Sequence, residues 1–113
     1  MGTSLDTAAP QILDAEGLIA GVAPCERRFT LRNEHGLHAR TATQFVQLAA
    51  RFSSVIEVEK DGRVHDGKSV VGVLMLLADK GSGITVRARG EDAGPALAAL
   101  GELIEGRFGE QSG

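Results

Sequence analysis

From Arg28 onward the spacing of apolar residues switches repeatedly between two and three-to-four, so strands and helices must share one core. Arg28-Phe29-Thr30-Leu31-Arg32 alternates polar and apolar, as a half-buried strand requires. Asn33 to Gly36 breaks that pattern. Ala42, Phe45, Val46, Ala49 and Phe52 then mark one face of an amphipathic helix from Ala39 to Phe52. Val55 to Glu59 returns to strand alternation, with Ile56 and Val58 on one face and Glu57 and Glu59 on the other. Asp61-Gly62 is a two-residue hairpin signal, because that turn needs positive φ at both positions, and Arg63 to His65 forms the return strand. Ser69 is placed to cap a helix over Val70–Ala78. Ile84, Val86 and Ala88 alternate with Thr85, Arg87 and Arg89 in a fourth strand. Asp92 is placed to cap a last helix with the stripe Ala93, Ala96, Leu97, Leu100 and Ile104, in which Pro95 is tolerated by lying in the first turn. The order β-α-β-β-α-β-α predicts an α+β fold, with antiparallel strands covered on one face by helices.

The chain has 113 residues, enough for one small domain and a tail. All three charges of the net −3 fall in residues 1–24, which carry Asp6, Asp14 and Glu16 and no Lys or Arg. That stretch reads as a flexible acidic extension, with a short helix possible over Gln11–Ala20. It lacks the basic start of a signal peptide, so a cytoplasmic location is expected. Residues 25–113 form the folded domain, with acidic and basic side chains in balance. Such a balance does not fit a nucleic-acid-binding protein, and no apolar run approaches the length of a membrane span. Cys25 is the only cysteine, which excludes an internal disulfide and a thiolate zinc site.

The chemically informative stretch is Asn33-Glu34-His35-Gly36-Leu37-His38-Ala39-Arg40. It joins the first strand to the first helix and puts His38 at a helix N-terminus. The amides of Ala39, Arg40 and Thr41 lack intrahelical acceptors there, and the helix dipole favours an anion. The same positive end disfavours protonation of a neighbouring ring, leaving a nitrogen lone pair available as a nucleophile. A phosphoryl group accepted by that nitrogen would meet free N–H donors, with Arg40 two residues on to pair with its oxygens. The alternative reading is an ordinary surface histidine. His35 and His38 form an H-x-x-H pair, but no third ligand joins them, so neither a metal nor any cofactor is expected. His65 reads as a surface residue and Cys25 as incidental. Gly62 to Ser69 formally matches a phosphate-binding loop pattern, yet its glycines flank a hairpin strand rather than a parallel βαβ unit. The nine residues Val70 to Ala78 are apolar apart from Gly72. A helix apolar all round in so small a domain leaves part of Val70, Val71, Leu74 and Leu77 either exposed for docking or packed as core.

Gly36-Leu37-His38-Ala39-Arg40, Asp61-Gly62 and Asp66-Gly67-Lys68-Ser69-Val70-Val71-Gly72-Val73-Leu74-Met75-Leu76, in this order and spacing, resemble the histidine phosphocarrier (HPr) family of the bacterial phosphoenolpyruvate-dependent sugar phosphotransferase system. The resemblance runs from about Glu26 to Glu110. It implies an open-faced sandwich, a four-stranded antiparallel sheet covered on one face by three helices. It implies that His38 accepts a phosphoryl group on Nδ1 from phosphorylated enzyme I and passes it to a IIA-type permease domain, with Arg40 as phosphate partner. Such a protein carries the group and turns over no substrate alone. Ser69 corresponds to the serine modified by an HPr kinase/phosphorylase, and Val70, Val71 and Leu74 to the docking surface. A regulatory relative controlled through Ser69, or a carrier of the nitrogen-related branch, are the alternative expectations. One departure stands out, because the family continues Ala-Arg-Pro-Ala where this chain has Ala39-Arg40-Thr41-Ala42. Threonine restores an N–H and adds a hydroxyl, each a candidate donor to phosphate, while removing a restraint that would stiffen the helix start. The segment 1–24 is a second departure, since the family usually begins near the first strand.

Overall fold

A computed structural model describes residues 24–110; residues 1–23 of the acidic extension, with the expected helix over Gln11–Ala20, lie outside the described residues. Strand β1 (Cys25–Thr30) leads to helix α1 (Ala39–Ala49), then to β2 (Val55–Lys60) and β3 (Arg63–Asp66). Helix α2 (Val70–Leu74), strand β4 (Gly83–Arg89) and helix α3 (Ala93–Glu105) follow, and a 3₁₀ turn over Arg107–Gly109 closes the described chain. The four strands form one antiparallel sheet in the order β1-β4-β2-β3. The element order and the open-faced sandwich are those expected from the sequence.

The strand alternation sorts the sheet into two faces. Phe29, Ile56, Val58, Ile84, Val86 and Ala88 are buried beneath the helices. Ala42, Phe45 and Ala49 from α1 and Ala96, Leu97, Leu100 and Ile104 from α3 fill the space opposite them. The other face is a charged lattice: Arg87 sits between Glu26 at 2.8 Å and Glu59 at 2.6 Å, and Arg89 pairs with Glu57 at 3.0 Å. Opposite charges alternating across neighbouring strands support pairing at the sheet surface.

Some element boundaries differ from expectation. Strand β1 begins at Cys25, earlier than the alternation indicated, because Cys25 to Thr30 pair in register with Ala88 to Gly83. Helix α1 ends at Ala49 rather than at Phe52, although Phe52 still packs against the core. The second helix is the largest correction: it stops at Leu74, with Met75 as its cap, instead of running to Ala78. Leu77 has φ +52°, which breaks the helix and sets up a short alternation. Leu76 and Ala78 turn into the core while Met75 and Leu77 face solvent. An all-apolar run hides that change of period.

Between Asp61 (φ +52°) and Gly62 (φ +82°) the β2–β3 hairpin turns as the Asp-Gly pair requires. Arg63 to Asp66 is a strand of this hairpin, so the formal phosphate-loop pattern encodes a turn and a strand. Gly36, in the β1–α1 loop, is under a stricter constraint. Its φ is +62°, and a Cβ built on it would lie 2.2 Å from the Ala78 carbonyl oxygen. Leu37 N–H donates to that same carbonyl at 2.8 Å. The loop leading to α1 is therefore pressed onto the backbone that follows α2.

Asp92 occupies the N-cap position of α3 but makes no side-chain cap bond. Its carboxylate instead accepts the amides of Ser53 and Ser54, each at 2.9 Å, and the Ser54 hydroxyl. It thereby fastens the α1–β2 loop to the start of α3. Those bonds, led by the Ser54 hydroxyl, lower its pKa from 3.8 to about 2. The folded-state pKa lies below the unfolded one, so the contribution is present above pH 4 and lost as pH falls toward 2.

Denaturation measurements check both constraints. Asp92→Asn lowers the urea midpoint at pH 7, and the difference from the parent protein shrinks between about pH 4 and 2. Gly36→Ala lowers stability by about 2–4 kcal/mol, since it combines left-handed strain with a backbone clash. Gly62→Ala, with open space around the added methyl, costs about 1 kcal/mol in the same denaturation assay.

Candidate functional site

The chain leaves β1 at Thr30, buries Leu31 and Asn33, and reverses at Gly36 before α1 begins. Asn33 contributes to the reversal, since its Nδ2 donates to the Gly36 carbonyl at 2.8 Å. Thr41 Oγ1 donates to the same oxygen at 2.7 Å. The Thr41 hydroxyl also accepts the His38 amide at 3.1 Å. One carbonyl and one hydroxyl thus tie together residues 33, 36, 38 and 41.

His38 is the N-cap residue of α1, with extended backbone (φ −120°, ψ −173°). Its carbonyl accepts the first helical bond, from Ala42 N–H at 2.7 Å. On the ring, Nδ1 accepts from the Arg40 amide at 3.4 Å. An atom that accepts carries a lone pair, which assigns the ring proton to Nε2. Nε2 is buried and has no hydrogen-bond partner, so the ring presents Nδ1 to the open helix end. His35 packs edge-on against it, with ring centroids 5.6 Å apart. Among the described residues no group of three or more His, Cys, Asp and Glu side chains is arranged to hold a metal ion.

Arg40 is exposed and reaches across the helix end. Its guanidinium donates to Glu110 Oε2 at 2.6 Å and to Gln44 Oε1 at 3.4 Å. Glu110 Oε1 accepts the Glu34 amide at 3.0 Å, so this carboxylate bridges the histidine loop and Arg40. The Glu34 N–H, with the Asn33 side chain and the Arg40 guanidinium adding to it, holds the Glu110 carboxyl below the usual carboxylate range. Glu110 is not among the candidate residues read from the sequence. It arrives through the left-handed turn at Arg107, Phe108 and Gly109, whose Phe108 ring is buried, and no local pattern announces such a return.

The expectations for Thr41 need correction. Its side chain is fully buried and its hydroxyl points inward to Gly36 and His38, away from any incoming anion. The helix start is held by these bonds rather than loosened. Of the first-turn amides expected to face an anion, those of Arg40 and Thr41 are directed at the His38 side chain.

Ser69 caps α2 as expected, its Oγ accepting the Gly72 amide at 3.0 Å. Of the three residues expected to dock partners, Val71 is 69% exposed, whereas Val70 and Leu74 are half-buried against the core. The exposed apolar surface is completed by Met75 at 54% and Leu77 at 68%. Met75 was legible in principle, because it lies one helical turn beyond Val71. His65 and Cys25 are partly buried in strands, and Cys25 is a free thiol.

Similarity to known proteins agrees with this architecture. Residues 25–106 match the family model described as the PTS HPr component phosphorylation site. The phosphocarrier protein HPr of Cupriavidus necator is 44% identical over 85 residues, spanning 75% of this chain and 96% of that protein. The phosphocarrier protein NPr of Shewanella violacea is 39% identical over 87 residues, spanning 77% and 96%. Among solved structures, HPr from Thermoanaerobacter tengcongensis superposes with a TM-score of 0.76 at 42% identity, covering 78% of this chain and 99% of the other. The sandwich fold, the histidine at a helix N-terminus and these similarities together place the chain in the HPr family of phosphocarriers of the phosphotransferase system.

Proposed function

We propose that His38 is the phosphoryl acceptor of this phosphocarrier, working in the cytoplasm between phosphorylated enzyme I and a IIA-type permease domain in sugar uptake. The observation that carries the reading is Nδ1 of His38, which accepts the Arg40 amide at the N-terminus of α1. In the transfer, the Arg40 amide releases Nδ1, whose lone pair attacks phosphorus as the bond to the donor breaks, its electron pair leaving with the donor. The proton on Nε2 stays in place. The incoming oxygens then meet the amides of Ala39, Arg40 and Thr41 and the positive end of the helix.

Arg40 is the phosphate partner. Its guanidinium exchanges the Glu110 carboxylate for phosphoryl oxygens, a bidentate partner of the same geometry. Delivery to the next protein reverses each step, so a site that held phosphate too firmly would impede the carrier.

Partners dock, in this reading, on the exposed apolar residues Val71, Met75 and Leu77, with Val70 and Leu74 supporting them from beneath. The histidine loop hangs from the Ala78 carbonyl, one residue beyond exposed Leu77. Ser69 is the regulatory position, a substrate for an HPr kinase/phosphorylase. Phosphate there adds about two negative charges next to Val70 and Val71 and opposes docking of an acidic partner. The similarity to NPr keeps the nitrogen-related branch as a second reading; the donor and receiver would then be that branch's own proteins.

Incubation with enzyme I and labelled phosphoenolpyruvate tests the assignment. The parent protein acquires acid-labile label and His38→Ala acquires none. Label on both proteins, or on neither, contradicts it.

A further inference from the structure

The position that departs from the family pattern is also one of the most buried at the site. Thr41 has no exposed surface, and its hydroxyl makes two close hydrogen bonds beside a longer one, of 3.4 Å, to the His38 carbonyl. It donates to the Gly36 carbonyl at 2.7 Å and accepts the His38 amide at 3.1 Å. Proline at this place would fix φ through its ring and would leave neither bond possible. The chain therefore holds the histidine loop by hydrogen bonding where the family pattern has a covalent restraint.

The two bonds act on the two residues that determine where the ring lies. Gly36 sets the direction of the loop and is already fixed from below by Ala78 and from the side by Asn33. His38 carries the ring, and its backbone amide is the nearest handle for orienting it. Without the hydroxyl, the His38 N–H loses its acceptor in a part-buried place, which is costly for a backbone donor. Only the amides of the first turn, with Arg40 N–H at 3.4 Å from Nδ1, would then restrain the ring by hydrogen bonding.

We infer that Thr41 is a positioning residue for phosphoryl transfer, its hydroxyl clamping Gly36 to His38 so that Nδ1 faces the helix N-terminus. The inference rests on His38 being the acceptor. Because proline lacks an N–H, threonine also keeps one more first-turn amide in reach of the phosphoryl oxygens.

The test compares Thr41→Val, which keeps the shape and removes the hydroxyl, with Thr41→Ser, which keeps the hydroxyl. Phosphorylation by enzyme I and phosphoenolpyruvate is followed as a rate, and the His38 tautomer by nitrogen-15 NMR. Thr41→Val is expected to slow transfer about 10- to 100-fold, as a small misplacement of a reacting group does. Its imidazole nitrogen shifts should move away from the Nε2–H form. Thr41→Ser should transfer within about threefold of the parent protein and keep its tautomer.

Transfer by Thr41→Val at the parent rate overturns the inference, and so does equal slowing in both variants with an unchanged tautomer. Should Thr41→Val fail to fold, the unaltered protein decides: the clamp requires a slowly exchanging Thr41 hydroxyl proton in its NMR spectrum, and rapid exchange rejects it. His38→Ala separates the acceptor from the clamp. Label on that variant refutes the acceptor, whereas an unlabelled His38→Ala beside a fully active Thr41→Val refutes the clamp alone.

Discussion

The Gly36 carbonyl is the fixed point of the site. It accepts from Asn33 Nδ2 and from Thr41 Oγ1, while the residue itself lies against the backbone of Ala78 and Asp79. Those contacts need φ of +62° and no side chain. Once they are made, the chain must enter α1 with His38 as its N-cap, and the ring has only a narrow choice of directions. The position of His38 Nδ1 is thus settled by a turn two residues earlier, held by the sandwich beneath it.

Electrostatics then decides what such a nitrogen is suited to do. A helix end supplies partial positive charge from first-turn amides that have no intrahelical acceptor, and Arg40 adds a full charge on a long, exposed stem. Glu110 occupies that guanidinium in the structure, anchored to the loop by the Glu34 amide. The arrangement makes the same Arg40 donors available to a carboxylate or to a phosphoryl group, alternatives of similar shape and sign. A carrier benefits from that near-balance, because it must release what it binds.

Much of this was legible in the sequence, for physical reasons that also explain the gaps. Ile56 and Val58, or Ala42, Phe45 and Ala49, reveal their faces because each pattern is periodic and local. Asp61-Gly62 reveals its turn because few residue pairs adopt two positive φ angles. The run Val70–Ala78 carries no such contrast, since a helix and a buried turn both accept an all-apolar sequence. Asp92 was legible as a helix start, but its stapling of Ser53 and Ser54 depends on a loop 38 residues away. Glu110 meets Arg40 across 70 residues, through a turn with left-handed Phe108, and Thr41 turns inward only because Gly36 is folded back onto α1. These are tertiary facts. The placing of His38 needed no such information, because its neighbours in the chain already specify a helix N-terminus; its reading as phosphoryl acceptor came from the family resemblance.

The most direct measurement uses the phosphorylated protein itself, labelled with nitrogen-15 in its histidines. With phosphorus bonded to Nδ1 of His38, phosphorus–nitrogen coupling appears on that nitrogen, and Nε2 keeps the signature of a ring nitrogen without phosphorus. Coupling to Nε2, or to a nitrogen of His35 or His65, would contradict the assignment of Nδ1 as the nucleophile.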